Sequence, residues 1–274
     1  MRPDTKIALI TGAGSGIGRA LALEASSRGL TVVMVGRRGD KLNETASMID
    51  RGNTVLTLPA DLTDRSDRTN ILAQIKDRFG RLDYLVNNAG SVAVGPFQAL
   101  DDQAMTDLFA VNVLAPACLI REAIPLLRRS GAGRIVNIGS MFGDIAFPQF
   151  ALYSASKYAL RGLSNGLRRE LKADGIGVTY AAPRATRTPA ARSFEPLAKP
   201  MGMTFDTPER VAHWIWSGVF AERDNLYPGL TERFAVLAQT FIPGLLDRHF
   251  SRIEQTLRNR DDAPTVAGGE KSVP

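Results

Sequence analysis

The sequence contains a single cysteine, Cys118, and only two histidines, His213 and His249, in 274 residues. One cysteine excludes an intrachain disulfide framework and leaves a cysteine-based zinc site short of ligands. Cys118 lies in "APACLIREAI", a helical pattern in which it reads as a small buried hydrophobe. The histidines stand alone on helical patterns and match no metal-ligand spacing. No apolar stretch approaches the roughly 20 residues of a membrane span. The opening "MRPDTKIALI" passes directly into a strand-like run without a secretory signal. These absences fit a reducing cytoplasm. There is no internal repeat and no block of like charge. The net charge of +6 is spread along the chain, which suits solubility and anionic small molecules better than nucleic acid.

What is present is a rhythm. Short apolar runs end in glycine, proline or asparagine at "KIALITG" (6–12), "TVVMVGR" (31–37), "TVLTLPAD" (54–61), "LDYLVNNAG" (82–90), "GRIVNIGS" (133–140) and "GIGVTYAAP" (175–183). "NLYPG" (225–229) reads as a last short strand. Helical patterns fall between them at 16–29, 39–51, 65–79, 101–129 and 151–173. A further helix begins with Thr207 as N-cap and Pro208 in the first turn. Strands alternating with helices predict a parallel sheet with helices on both faces, and unbroken apolar strands agree with burial on both sides. The fold class is α/β, a doubly wound sheet of about seven strands in one domain over 1–260. It divides into a core at 5–183, a loop at 184–206 and a helical extension at 230–259. The polar tail 261–274 reads as disordered.

"TGAGSGIG" (11–18) joins the first strand to the first helix. Gly12, Gly14, Gly16 and Gly18 let the backbone turn tightly beside a phosphate, and the helix N-terminus then offers free N–H groups and a positive dipole end. After the second strand, Gly36 stands where a carboxylate would accept bonds from an NAD ribose, and Arg37 and Arg38 follow. Two guanidiniums without a carboxylate favour a 2′-phosphate, hence NADP(H) over NAD(H), with Arg37 the main contact. "YSASK" (153–157) places a phenol and an ammonium one helical turn apart on one face, with small residues between.

Taken in order, "TGAGSGIG", "ADL" (60–62), "NNAG" (87–90), Asn112 in "VNV", Ser140 in "NIGS" and "YSASK" resemble the short-chain dehydrogenase/reductase family over roughly 5–230. The resemblance implies a Rossmann-type fold and nicotinamide chemistry. It assigns Ser140, Tyr153 and Lys157 to catalysis and Asn112 to a water-linked proton relay. It places Gly12, Gly14, Ser15, Gly16, Ile17, Gly18, Asp61, Leu62, Asn88, Ala89, Gly90, Tyr153, Lys157, Pro183 and Thr188 around the cofactor, with Asn87 structural. On this reading a lysine one turn away, together with the positive charge of the nicotinamide in NADP⁺, lowers the Tyr153 pKa from about 10, and the phenol exchanges a proton with a carbonyl or alcohol oxygen. One departure stands out: the family carries glycine after Pro183, and this chain has Arg184. Arg184 can gate the nicotinamide, hold a cofactor phosphate, bind an anionic substrate or face solvent.

Phe142, Phe147, Phe150, Leu152, Phe194, Leu197, Met201 and Met203 flank the catalytic set and point to an apolar carbonyl or secondary alcohol, although half of them would serve only packing. The alternatives are a 3-oxoacyl-thioester reductase docking through Arg128, Arg129, Arg168, Arg169 and Lys172, and a non-catalytic NADP(H) sensor. Apolar residues recur at helical spacing from Leu230 to Leu257, broken at "IPG" (242–244), with arginines among them. The expectation is a homo-oligomer, dimer or tetramer, whose last helices cover the substrate cleft or an interface. Contact with a membrane surface is the less favoured outcome.

Overall fold

Strand β1 (Ile7–Thr11) is buried at every position, and β2 (Thr31–Gly36) at all but its last. Neither shows the alternation of a half-exposed strand, so each must be covered on both faces. In the computed structural model, which describes residues 5–258, five further strands complete the sheet: β3 (Val55–Pro59), β4 (Tyr84–Asn87), β5 (Arg134–Ile138), β6 (Gly177–Ala181) and β7 (Asn225–Leu226). Their order is β3-β2-β1-β4-β5-β6-β7, with every pair parallel. Ile10 pairs with Met34 on one side and Val86 on the other. The chain reverses its direction of growth between β1 and β4. Such a switch point opens a crevice at the carboxyl ends of the strands.

Helices cover both faces. On one, α1 (Gly16–Ser27) and α2 (Gly39–Ser47) share a core with a later helix at Pro208–Phe220. On the other lie α3 (Arg65–Phe79) and the partly buried Leu163 and Leu167. Helix α4 (Asp102–Phe109) runs through a π-helical turn, Ala110–Leu114, into α5 (Ala115–Arg129). The run Asp102–Arg129 is long and apolar enough by composition to cross a membrane, which corrects the reading from the sequence. Its apolar side, including Leu119, Ile120, Ala123 and Leu127, is buried in the core beside α3 and the sheet. Cys118, expected to be buried, is only half-buried on α5.

Helix α6 (Ala151–Glu170) carries "YSASK" in its first two turns. After β6 the chain forms the irregular segment expected at 184–206, with a 3-10 turn at Pro189–Ser193 and the four-residue α7 (Glu195–Ala198). Thr207 caps α8 (Pro208–Phe220) by accepting from the Arg210 N–H at 3.3 Å. Trp216 on α8 is fully buried, donates its indole N–H to the Leu21 carbonyl at 3.0 Å and meets the Tyr84 ring edge-on at 5.4 Å. Truncating such a side chain costs about 3–5 kcal/mol, so Trp216 is a principal bond between α1, α8 and the sheet.

Two helices end the described chain, α9 (Leu230–Phe241) and α10 (Pro243–Arg258), separated at Ile242 as the "IPG" break suggests. Helix α10 packs onto the loop before α6: Phe250 lies 4.5 Å from Phe147, and Gln149 donates to Glu254 at 3.0 Å. Leu230, Phe234, Leu237, Phe241 and Ile242 form an exposed apolar stripe on and beside α9. Arg260 and the tail 261–274 lie outside the described residues, as do the side chains of Leu245, His249, Leu257 and Arg258.

Candidate functional site

The glycine-rich turn is held from below by β4. Asn88 donates its side-chain amide to the Thr11 carbonyl at 2.9 Å, and the Thr11 hydroxyl accepts from the N–H groups of Asn88 and Ala89 at 2.9 and 3.0 Å. Gly12 adopts φ 67°, and a Cβ on Gly18 would collide with the Gly12 carbonyl oxygen. Only a residue without a side chain lets α1 begin this close to the end of β1. The first N–H groups of α1 are thereby left facing a cavity, where they can meet a phosphate. Thr11 and its bonds were not singled out in the sequence. A threonine at a strand end is too common to signal such a role.

The cavity encloses about 590 Å³ above the carboxyl ends of β1, β4, β5 and β6. Gly12, Ser15, Gly16, Ile17, Gly18, Asn88, Ala89 and Gly90 line one end. Ser140, Tyr153, Lys157, Pro183 and Thr188 line it as well, so residues far beyond Gly12 in the sequence meet it in one space. Gly14, Asp61 and Leu62 do not line it. Gly14 accepts a bond from Arg19 at 2.8 Å, and the Asp61 carboxylate closes a local turn onto Thr63 at 2.7 Å. Arg38 instead lines a second recess with Ser15, Gly16, Arg19, Lys41 and Arg187, whereas Arg37 lies outside its lining. Arg187 arrives there through the 184–206 segment, a tertiary approach that sequence spacing does not reveal.

Asn112 lies in the π-helical turn and is buried. Its amide nitrogen donates to the Ser91 carbonyl at 2.9 Å and to the Ser156 hydroxyl at 3.0 Å, while its oxygen accepts from the Ser91 N–H at 2.8 Å. Asn112 thus braces the segment after β4 against α6. Asn87 donates to Asn137 at 2.8 Å, and Asn137 to Ser164 at 2.9 Å, tying β4, β5 and α6 together as the structural reading of Asn87 requires.

Ser140 follows β5, and its hydroxyl accepts from the Phe142 N–H at 3.1 Å. The strand end is held by Tyr180 of β6, whose hydroxyl donates to the Ser140 carbonyl at 3.2 Å. The Tyr180 ring fills the space beside Gly139 and Gly143, where any Cβ would collide with it. Behind this lies Asp144, buried, which accepts from the Tyr227 hydroxyl at 2.8 Å and pairs with Arg161 at 2.6 Å. Desolvation raises the Asp144 carboxyl above its usual range, against the pull of Tyr227 and Arg161.

In the protein alone, burial dominates the electrostatics of the tyrosine and lysine. Burial pushes the Tyr153 phenol up to about 12, while hydrogen bonding to Ser140 acts in the opposite direction. Burial also brings Lys157 down to about 8. Desolvation penalises both charged forms. The sequence gives the spacing of the two groups and not the dielectric around them.

On the far side of the serine the cavity becomes apolar. Phe142, Phe147, Phe150, Phe194, Met201 and Met203 line it, whereas Leu152 and Leu197 do not. Phe142 is the hub, 4.6 Å from Phe147, 4.8 Å from Phe150 and 5.9 Å from Tyr153 between ring centres. Val92, Ile145, Thr231 and Ala235 also contribute to the wall. The last two lie on α9, beyond any motif.

A family model described as short chain dehydrogenase matches residues 6–197. A 3beta-hydroxysteroid dehydrogenase from Mediterraneibacter gnavus is 36% identical over 190 residues, 69% of this chain and 68% of that protein. The crystal structure of a short-chain dehydrogenase from Streptomyces avermitilis superposes with a TM-score of 0.77 at 30% identity, covering 94% of this chain and 99% of that one. An actinorhodin polyketide ketoreductase crystallised with NADPH gives 0.75 at 28% identity, covering 82% of this chain and 95% of that one.

Proposed function

The chain belongs to the short-chain dehydrogenase family of oxidoreductases, and from that membership we propose that it is an NADP(H)-dependent enzyme interconverting a neutral, apolar carbonyl compound and its secondary alcohol. The observation that carries this reading is the meeting of Ser140, Tyr153 and Lys157 in a cavity with a glycine cradle at one end and a phenylalanine and methionine wall at the other.

The cradle fits a dinucleotide: Gly12 and Gly18 leave space that a Cβ would fill, and the α1 N-terminus faces it. A bound nicotinamide cofactor would supply or accept the hydride. Tyr153 donates a proton to the carbonyl oxygen in reduction and accepts it in oxidation. Ser140, already bonded to Phe142 and backed by Tyr180, hydrogen-bonds the same oxygen as charge develops on it. Lys157, 5% exposed, donates to the Ile138 carbonyl at 3.2 Å and borders Gly90. There it would orient the cofactor ribose and, together with the charge of a bound NADP⁺, would favour the phenolate. Asn112 fixes Ser156, and through it the first turns of the catalytic helix. Arg37 and Arg38 supply the preference for a 2′-phosphate, with Arg38 favoured by its place in the recess beside Ser15 and Gly16, where Arg187 stands too and Glu44 pairs with Arg19 and Lys41.

The relatives support an apolar substrate, since one is named a steroid dehydrogenase and another a polyketide ketoreductase. A thioester-docking face has less support. Arg128 is paired with Asp174 at 2.8 Å, and Arg168 is engaged by the Val178 and Asp224 carbonyls at 3.1 and 2.9 Å. We place the protein in the cytoplasm as a homo-oligomer. The deciding assay is NADPH oxidation with a panel of apolar ketones and acetoacetyl thioesters. Turnover of the ketones in preference to the thioesters supports the reading, and the reverse preference replaces it with thioester reduction.

A further inference from the structure

Arg184, the departure from the family pattern, belongs to a chain of alternating charge. Glu232 Oε1 lies 3.1 Å from Arg184 Nη1, Arg184 Nε lies 3.2 Å from Asp206 Oδ2, and Asp206 Oδ1 lies 3.5 Å from Arg210 Nη1. Two carboxylates and two guanidiniums sum to zero. Asp206 is fixed by its backbone: its N–H donates to the Ala185 carbonyl at 2.9 Å, and its carbonyl accepts from the Arg187 N–H at 3.0 Å. Glu232 sits in the first turn of α9, where the helix dipole favours a carboxylate.

Arg184 and Glu232 both line the cavity. Lys157 is the other charged residue of that lining, and its ammonium is directed to Ile138. A guanidinium in the cavity wall would otherwise be a ready fork for a carboxylate or phosphate. Here Asp206 and Glu232 already occupy it from two directions, and the Glu232 side chain is only 14% exposed. An anionic substrate entering along this wall meets a guanidinium already neutralised and a carboxylate of its own sign.

We propose that Glu232 is a specificity-determining residue: by neutralising Arg184 in the cavity wall, it makes the site accept neutral carbonyl compounds and reject those carrying a carboxylate or phosphate. The proposal rests on the reading of the site as a carbonyl–alcohol oxidoreductase. It also assigns Arg184 a function, because the residue provides a latent anion site that one carboxylate on α9 keeps closed. Removing that carboxylate leaves the four-residue chain with a net charge of +1 beside the substrate.

The test compares kcat/KM for an aryl ketone bearing a carboxylate with that for its methyl ester, in the intact chain and in Glu232→Gln. The acid-to-ester ratio should rise about fivefold in the variant, the size of one partly exposed charge pair, and the gain should vanish at high salt. Adding Arg184→Gln should cancel the gain. Asp206→Asn changes the same net charge from the other side and should move the ratio in the same direction, so the test survives if Glu232→Gln folds poorly. A clamp that merely holds α9 in place would raise KM for acid and ester together. An unchanged ratio in both variants overturns the proposal. If the intact chain reduces neither ketone, it is the oxidoreductase reading that fails. Calorimetric affinities of the acid and the ester in the presence of NADPH then give the same ratio without turnover.

Discussion

Lys157 Nζ lies 5.6 Å from the centre of the Tyr153 ring and donates to the Ile138 carbonyl at 3.2 Å. The ammonium is thus engaged with the backbone beside the ring, and the proposed reaction takes Tyr153 as its proton donor. Tyr153→Phe should lower kcat by at least about a hundredfold while NADPH binding, followed by fluorescence, persists. A variant with near-normal kcat would show that another group carries the proton.

The same lysine gives the protein a pH signature in the absence of cofactor. Its folded pKa of about 8 lies below the ordinary 10.5, so the folded state binds fewer protons than the unfolded one between these values. Stability then rises with pH across that window, because burial of the charged form costs most below the folded pKa. The full difference is on the order of 3 kcal/mol. Tyr153, raised to about 12, binds more protons folded than unfolded above pH 10 and opposes further gain there. Denaturant titrations at pH 7 and pH 9.5 should show the rise in the intact chain, and Lys157→Met should remove it. Equal slopes in both proteins would count against a desolvated ammonium.

Cofactor choice should follow the arginines after β2. Arg37→Asp and Arg38→Asp should each move the kcat/KM preference away from NADPH and towards NADH, with the larger change at Arg38. The comparison is steady-state kinetics with both cofactors. An intact protein that already prefers NADH would defeat the assignment.

Truncation after Gly229 removes α9 and α10. It takes away Phe250 from Phe147, the Glu254 partner of Gln149, and the α9 part of the cavity wall. KM for long or bulky ketones should rise more than KM for short ones. Sedimentation should also show a smaller assembly, since the stripe containing Phe234 and Phe241 is lost. Flotation of the intact chain with anionic vesicles, reversed by salt, would reassign that stripe to a lipid surface.

The strands were legible because a strand covered on both faces needs an unbroken apolar run, and "IALI" (7–10) and "VVMV" (32–35) have nothing else. The glycine cradle and "YSASK" were legible because their meaning lies in short spacings. What escaped the sequence was whatever the fold assembles at long range. Asp206 and Glu232 come to Arg184 from a loop and a terminal helix, and no local pattern announces either. Arg187 beside Arg38 is of the same kind. The burial of Tyr153 escaped for a related reason: desolvation depends on everything packed around the phenol, and the lysine four residues on is one contributor among many.

The Tyr180 ring occupies the room that side chains at 139 and 143 would need, and its hydroxyl holds the Ser140 carbonyl. Heredity should therefore treat these positions as one character. A lineage that shortens residue 180 gains freedom at 139, whereas 143 stays closed by the Lys157 carbonyl oxygen, 2.8 Å from where its Cβ would stand. The order of substitution is constrained: the tyrosine must go before Gly139 can change. Intermediates that try the opposite order should be the ones that misplace the serine.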